Sequence, residues 1–164
     1  MSYFKNGELY NVDRSWGKFS ETVAILDKYP WAIKQALIKS PVKKELLECL
    51  NNHPQKYMYM PIVYSKKEIE KVLSYSAVNT VGMELIAGKI EDELFQDETI
   101  KYLHGKRIFA WVNSITLSGL PQHILFGSLD DDTALLKDKD STWGQIMWKG
   151  VDVIQTDWPL QLKE

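Results

Sequence analysis

The chain has 164 residues, 45% of them hydrophobic, and a formal net charge of −2, which is typical of one globular domain with enough chain to bury a core. The near balance of acidic and basic residues gives no electrostatic attraction for nucleic acid, and the single cysteine excludes an internal disulfide. No apolar run reaches the roughly 18 residues that cross a membrane, and the N-terminus lacks a signal-peptide pattern, so the sequence as it stands predicts a cytoplasmic protein, or an exported one if a longer precursor exists.

Short apolar runs and helix signals alternate along the chain. The predicted strands are Leu9–Val12, Ile33–Ile38, Lys56–Val63, Thr80–Ile86, Ile108–Val112 and Val151–Gln155. The predicted helices are Glu21–Lys28, Pro41–Leu50, a helix that opens at the capping box Ser65–Glu68, Glu91–Leu103 and Thr142–Lys149. Strand, helix and strand at this spacing predict βαβ units, and therefore an α/β fold with about six parallel strands and helices outside the sheet.

Two apolar runs in the last part of the chain stop abruptly at polar groups. One ends in Trp111-Val112-Asn113, and the other reads Gly150-Val-Asp-Val-Ile-Gln-Thr-Asp-Trp-Pro159. They resemble the closing strands of the glycerophosphodiester phosphodiesterase family, whose last strand carries a Gly-Val-Asp-x-Ile-x-Thr-Asp-x-Pro pattern. The acidic loop Asp130–Asp132, Trp143-Gly144 and Gln155 are similar to the branch common in Bacteroides-like bacteria.

The resemblance is strong over about residues 106–160 and collinear from about residue 9. It implies an incomplete (β/α)8 TIM-type barrel, in which residues 1–164 form a single domain that corresponds to barrel strands three to eight. The family's chemistry is metal-dependent hydrolysis of a phosphodiester, in which a histidine pair transfers the protons.

The catalytic segments of that family have no counterpart in this sequence. The family's His-Arg-Gly, Glu-x-Asp and His-Asp motifs carry both catalytic histidines and most metal ligands, and the chain contains no His-Arg or His-Asp pair. Its three histidines, His53, His104 and His123, favour surface or capping positions over catalysis. We therefore assign no catalytic residue and expect the chain alone to be inactive, so whether it serves an enzyme stays open. The alternative is a non-catalytic binding or oligomerisation module derived from the barrel.

Two carboxylates are predicted metal ligands. Asp13 follows the first strand, where the resemblance implies a ligand for Mg²⁺ or Ca²⁺, and its alternative role is to cap the following turn. Glu84 lies inside an apolar strand, where a carboxylate is costly unless it is paired or binds a metal, and Lys39 is a candidate partner.

Four residues are predicted to bind the substrate, a glycerophosphodiester or another small phosphate ligand. Lys39, at a predicted strand end, is placed to contact phosphate, unless it is a lysine that extends its ammonium to solvent at the barrel rim. By resemblance Trp111 walls the pocket, unless it is a core residue. Asn113 either braces a loop or touches the substrate, and Asp157 either braces the active site or caps the C-terminal turn. We interpret Asp130–Asp132 as a solvated acidic loop, because the spacing lacks the glycine and glutamate of a calcium loop.

The absence of the first two barrel strands predicts association. An incomplete barrel leaves two open edges, at Leu9–Val12 and Val151–Gln155, and open strand edges are templates for pairing. We expect a homodimer, a partner that supplies the N-terminal strands, or closure by the chain's own residues Met1–Gly7.

Overall fold

A computed structural model of the chain describes residues 7–115 and 125–163. Its strands are β1 (Tyr10–Val12), β2 (Ala36–Pro41), β3 (Met58–Val63), β4 (Gly82–Leu85), β5 (Phe109–Asn113) and β6 (Val153–Gln155). They follow one another in the sheet in the order of the sequence, and every strand pair whose register is defined is parallel. The predicted fold class, an α/β chain with the strand and helix order of an incomplete (β/α)8 barrel, is confirmed.

Helices alternate with these strands. The α-helices are α1 (Phe19–Leu26), α2 (Ala32–Gln35), α3 (Lys44–Asn52), α4 (Lys66–Leu73), α5 (Asp97–Gly105), α6 (Asp131–Leu136), α7 (Gln145–Trp148) and α8 (Pro159–Lys163). Short 3₁₀ turns cover Trp16–Lys18 and Glu93–Phe95, and a π-helical turn covers Asp140–Gly144. None of the helices within residues 7–115 and 125–163 combines the length and apolar character that crossing a membrane requires.

The chain forms two compact units, and the first comprises Met1–Ile62 and Lys67–Val81. In it β1, β2 and β3 lie side by side, with Val12 opposite Ile38 and Ile38 opposite Tyr59. The two main helices of this unit are amphipathic, and each buries its apolar face: α3 buries Leu46, Leu47 and Leu50, and α4 buries Ile69 and Val72. Burial of these faces explains why segments with many charged residues fold as helices here.

Two predicted boundaries in this unit are wrong. The segment predicted as a strand from Ile33 begins with helix α2, which buries Ala32 and Gln35, and the strand starts only at Ala36. The predicted helix start at Pro41 is also wrong, because Pro41 ends β2, a strand position that tolerates the missing N–H, and α3 begins at Lys44.

The second unit comprises Val63–Lys66 and Gly82–Glu164, and contains β4, β5 and β6. Trp111 lies opposite Glu84 on one side and Val153 on the other. Because side chains alternate along a strand, one face of this part of the sheet carries Met83, Leu85, Ala110 and Val112, all fully buried. The opposite face carries Glu84, Trp111 and Asn113, so the polar residues of these strands share one side of the sheet.

Candidate functional site

In the first unit, Asp13 and Lys39 form an ion pair near the C-terminal ends of two neighbouring strands. Asp13 lies one position beyond the Val12–Ile38 pairing, which places it beside Lys39. The distance from Lys39 Nζ to Asp13 Oδ2 is 3.4 Å. The sequence predicted that this strand ends at Lys39. That prediction is wrong, because β2 continues through Ser40 and Pro41.

Lys39 is only 3% exposed, so its ammonium lies out of bulk water. A buried ammonium requires a nearby counter-charge, and the half-exposed Asp13 carboxylate supplies one. The second oxygen of Asp13 accepts a hydrogen bond from the Arg14 N–H at 2.8 Å, next to a left-handed backbone at Arg14 (φ 52°). Asp13 therefore stabilises the turn after β1, as its predicted alternative role required, and it also balances Lys39, which the sequence did not predict.

In the second unit, Glu84 and Asn113 are buried and joined to each other. Asn113 Nδ2 donates to Glu84 Oε1 at 2.6 Å, and the two residues are 4% and 3% exposed respectively. The pairing follows from the register, because Asn113 stands two positions beyond Trp111, which faces Glu84 across β4 and β5. The Asn113 amide therefore offsets part of the free-energy cost of burying Glu84 inside an apolar strand. The sequence did not predict that these two residues would pair.

Trp111 belongs to the same row of side chains. It is half-buried, and its indole Nε1 donates to Gln155 Oε1 at 3.3 Å. A half-exposed indole with one fixed edge is consistent with a pocket wall as well as with a core position, so both interpretations of Trp111 stay open.

The loop after β6 is held by Asp131, a residue that the sequence analysis assigned to a solvated acidic loop. That interpretation is wrong for Asp131, which is 1% exposed at the start of α6. Its Oδ1 accepts from Trp143 Nε1 at 2.9 Å, and its Oδ2 accepts from Thr156 Oγ1 at 2.8 Å and from the Asp157 N–H at 3.0 Å. Asp131 thus fixes the backbone at Asp157.

The predicted substrate residue Asp157 is held through its backbone, and its side chain is exposed. The neighbouring Asp130 is the N-cap of α6, with Oδ1 accepting from the Thr133 N–H at 2.6 Å. An aspartate directly before a helical segment is the sequence signal that could have indicated this cap. No sequence signal indicated that the next residue, Asp131, would turn inward.

Two histidines lie at the N-terminal ends of strands, opposite to the ends where Asp13 and Asn113 are found. His53 precedes β3 and contacts Asp27 Oδ2 through Nε2 at 3.1 Å. His104 lies in the last turn of α5 and contacts Asp152 Oδ2 at 2.8 Å, and the same oxygen accepts from the Ala110 N–H. Both therefore occupy the surface or capping positions predicted for them, while His123 lies outside the described residues.

The predicted metal ligands do not form a ready-made cation site within residues 7–115 and 125–163, where no group of three or more His, Cys, Asp or Glu side chains could hold an ion. Asp13 already binds an ammonium and a backbone N–H, and Glu84 already accepts from Asn113. An adjacent ammonium opposes a second cation. Binding of Mg²⁺ or Ca²⁺ by Asp13 and Glu84 would require further oxygen donors, and it stays a prediction.

The model of one protein family matches residues 59–164, more than half of the chain. That family is DUF4996, described as a domain of unknown function. The chain belongs to the DUF4996 family. No curated protein and no solved structure shows significant similarity to it.

The DUF4996 match includes the polar row of the second unit, with Glu84, Trp111 and Asn113, and the loop at Asp157. It begins after Asp13 and Lys39, which lie outside the matched residues. Because the DUF4996 description assigns no activity, function has to be argued from the chemistry of these side chains.

Proposed function

We propose that this chain is the phosphate-binding part of a glycerophosphodiester phosphodiesterase-like barrel, and that alone it binds a small phosphate ligand without hydrolysing it. The ligand class is a glycerophosphodiester or a related phosphate monoester. In the first unit, Asp13 and Lys39 contribute the charge at the ends of β1 and β2. In the second unit, the polar face of β4 and β5 carries Glu84, Trp111 and Asn113.

The observation that carries the proposal is the buried Lys39 ammonium beside Asp13 at the C-terminal strand ends. Ligands of parallel barrel proteins bind at those ends. An ammonium held in a low-dielectric site attracts a phosphate more strongly than one in water does. Asp13 balances part of this charge, so we expect weak, millimolar affinity, which corresponds to about −4 kcal/mol.

The expected lack of hydrolysis follows from where the described histidines lie. Cleavage of a phosphodiester needs a proton donor at the leaving oxygen, and histidine is the usual group near neutral pH. His53 and His104 lie at the N-terminal ends of strands, each in contact with a carboxylate. In its own unit, each histidine therefore lies at the strand ends opposite to those of the Lys39 ammonium or the Asn113 amide.

Binding can be tested with glycerol 3-phosphate as the probe, by isothermal titration or phosphorus NMR. Lys39→Met should weaken binding at least about tenfold, because a charge-assisted contact is worth about 1.5–3 kcal/mol. Lys44→Met is the matched control, since Lys44 is an exposed lysine that pairs with its helix neighbour Glu48. Equal affinity of the two variants, or no saturable binding by the wild-type chain, would overturn the proposal.

Hydrolysis can be tested with glycerophosphocholine in the presence of Mg²⁺ or Ca²⁺. The purified chain should release no glycerol 3-phosphate above the rate of a buffer control. Metal-dependent release that Asp13→Ala abolishes would show that the chain is an enzyme by itself.

The second candidate function is a non-catalytic binding or oligomerisation module, which the positions of His53 and His104 also favour. The DNA directly upstream discriminates between the two. A coding stretch for His-Arg-Gly and Glu-x-Asp, in frame or in an adjacent gene, would favour the enzyme, with that segment as the partner of this chain. Its absence would favour the binding module, with a second copy of the chain as the partner.

A further inference from the structure

A cavity of about 520 Å³ lies in the first unit, at the N-terminal ends of β2 and β3. Its walls come from the segment that leads into α2, from α2 itself and from the segment before β3, and include Asp27, Tyr29, Pro30, Ile33, Pro54 and Tyr57. These ends are opposite to the strand ends that carry Asp13 and Lys39. The cavity is therefore separate from the proposed phosphate site.

Asp27 is the one ionised side chain among the residues that the structure places along this cavity. Its Oδ1 accepts from the Tyr57 hydroxyl at 2.7 Å, and its Oδ2 contacts His53 Nε2 at 3.1 Å. The side chain still keeps 36% of its surface exposed. Since each carboxylate oxygen accepts two hydrogen bonds, Asp27 retains capacity for a further donor.

Tyr57 stays a donor to Asp27 over the physiological pH range. Burial, and then the hydrogen bond and negative charge of Asp27, raise the pKa of Tyr57 well above its usual value. Tyr57 therefore does not compete with Asp27 as an anion, and the negative charge of the cavity is located on one carboxylate.

The walls beside this carboxylate are aromatic and preformed. Tyr29 and Tyr57 line the cavity, and the Tyr29 ring lies against Trp31 at a centroid distance of 5.3 Å. Pro30 and Pro54 fix their own backbone φ angles at its rim. A cavity with rigid walls requires little ordering when a ligand binds.

We propose that this cavity binds a small organic cation, either a protonated primary amine or a quaternary ammonium. A carboxylate flanked by tyrosine rings attracts a cation through both its charge and the negative faces of the rings. The same carboxylate repels anions. The nearby Lys56 ammonium does not fill this role, because it donates to the Asn51 and His53 carbonyls at the end of α3, at 3.0 and 2.7 Å.

The proposal can be tested with tetramethylammonium as the probe and tert-butanol as a neutral molecule of similar shape. Titrations followed by protein NMR shifts should show saturable binding of tetramethylammonium at millimolar concentration. Binding of tert-butanol should be at least about tenfold weaker, because it gains the apolar contacts but not the charge.

Two variants locate the site. Asp27→Asn removes the charge and should weaken tetramethylammonium binding about tenfold or more, whereas Glu45→Gln, which removes an exposed carboxylate from α3, should not change it. Tyr29→Leu keeps apolar bulk but removes the aromatic ring. It should weaken binding of tetramethylammonium and leave binding of tert-butanol unchanged. If Asp27→Asn does not fold, because one of the two donors Tyr57 and His53 loses its acceptor, the Tyr29→Leu variant decides.

Three results would overturn the proposal. These are no saturable binding of tetramethylammonium, equal binding of tert-butanol, or unchanged affinity in Tyr29→Leu together with unchanged affinity in any folded Asp27→Asn protein.

Discussion

Replacing Asp131 by asparagine should destabilise the second unit strongly, although the two side chains have nearly the same shape. The carboxylate accepts from three donors: Trp143 Nε1, Thr156 Oγ1 and the Asp157 N–H. Asparagine offers one accepting oxygen and one donating NH₂ group. Whichever way the amide is oriented, its NH₂ faces an N–H group that can only donate.

The loss of unfolding free energy depends on which orientation of the asparagine amide is more favourable. Trp143 Nε1 also lies 3.0 Å from Ser114 Oγ, so it has a second acceptor if the asparagine NH₂ turns toward it. The contacts to Thr156 and Asp157 then survive as neutral bonds. Loss of one charge-assisted bond and weakening of two others should lower the free energy of unfolding by about 2–4 kcal/mol. That is a large part of the roughly 5–15 kcal/mol that stabilises a typical domain.

Urea unfolding followed by tryptophan fluorescence and circular dichroism measures this loss directly. Asp132→Asn is the matched control, because it makes the same chemical change at the next residue, whose side chain is exposed. It should change the unfolding free energy by no more than about 0.5 kcal/mol. If Asp131→Asn and Asp132→Asn were equally stable, the assignment of Asp131 as the residue that holds the β6 loop would be refuted.

Two further predictions concern alkaline pH and association. Burial raises the pKa of Tyr59 to about 12. The protonated hydroxyl therefore stabilises the fold below pH 10, and that stabilisation is lost as the pH rises from 10 through 12. Between pH 8 and 11 the unfolding free energy of the wild-type chain in urea should fall by about 1 kcal/mol more than that of Tyr59→Phe, and equal losses would contradict this. The edges of β1 and β6 should favour a homodimer in sedimentation at micromolar concentration. A stable monomer with both strands still exposed would argue against it. The predicted closure by Met1–Gly7 falls, except for Gly7, outside the described residues.

The order and direction of the strands could be predicted from the sequence because each strand is a short apolar run and each connection is long enough for a helix. The boundaries could not be predicted as well, since neighbouring segments override local preference. Ile33 has a β-branched side chain that favours a strand, yet it lies in a helical turn that buries Ala32 and Gln35. Pro41 is common at helix starts, but it ends a strand in which Ser40 bonds to the Tyr59 hydroxyl at 2.9 Å.

The candidate site was predictable in its residue types and not in its pairings. Polar residues that interrupt apolar strands, such as Lys39, Glu84 and Asn113, are visible in the sequence alone. Which of them meet depends on the register, and a shift of one residue would move a side chain to the other face. The register places Asn113 beside Glu84, and Asp13 beside Lys39.

Asp131 illustrates a different limit of sequence analysis. Three adjacent aspartates read as a solvated loop, because burial of a carboxylate is costly in general. In the fold, Asp130 caps α6, Asp132 stays exposed, and only Asp131 points toward the indole of Trp143 and the end of β6. The donors come from residues 12 to 26 positions away in the sequence, so no local pattern could distinguish the three.

In the first unit, the two ends of the strands carry different polar groups. In the first unit the Lys39 ammonium and Asp13 lie at the C-terminal ends, whereas Asp27 and His53 lie at the N-terminal ends. A phosphate is attracted by the Lys39 ammonium and repelled by the Asp27 carboxylate. An organic cation has the opposite preference. The two proposed sites should therefore bind ligands of opposite charge. Lys39→Met should weaken binding of the phosphate and leave binding of the cation unchanged, and Asp27→Asn should have the reverse effect.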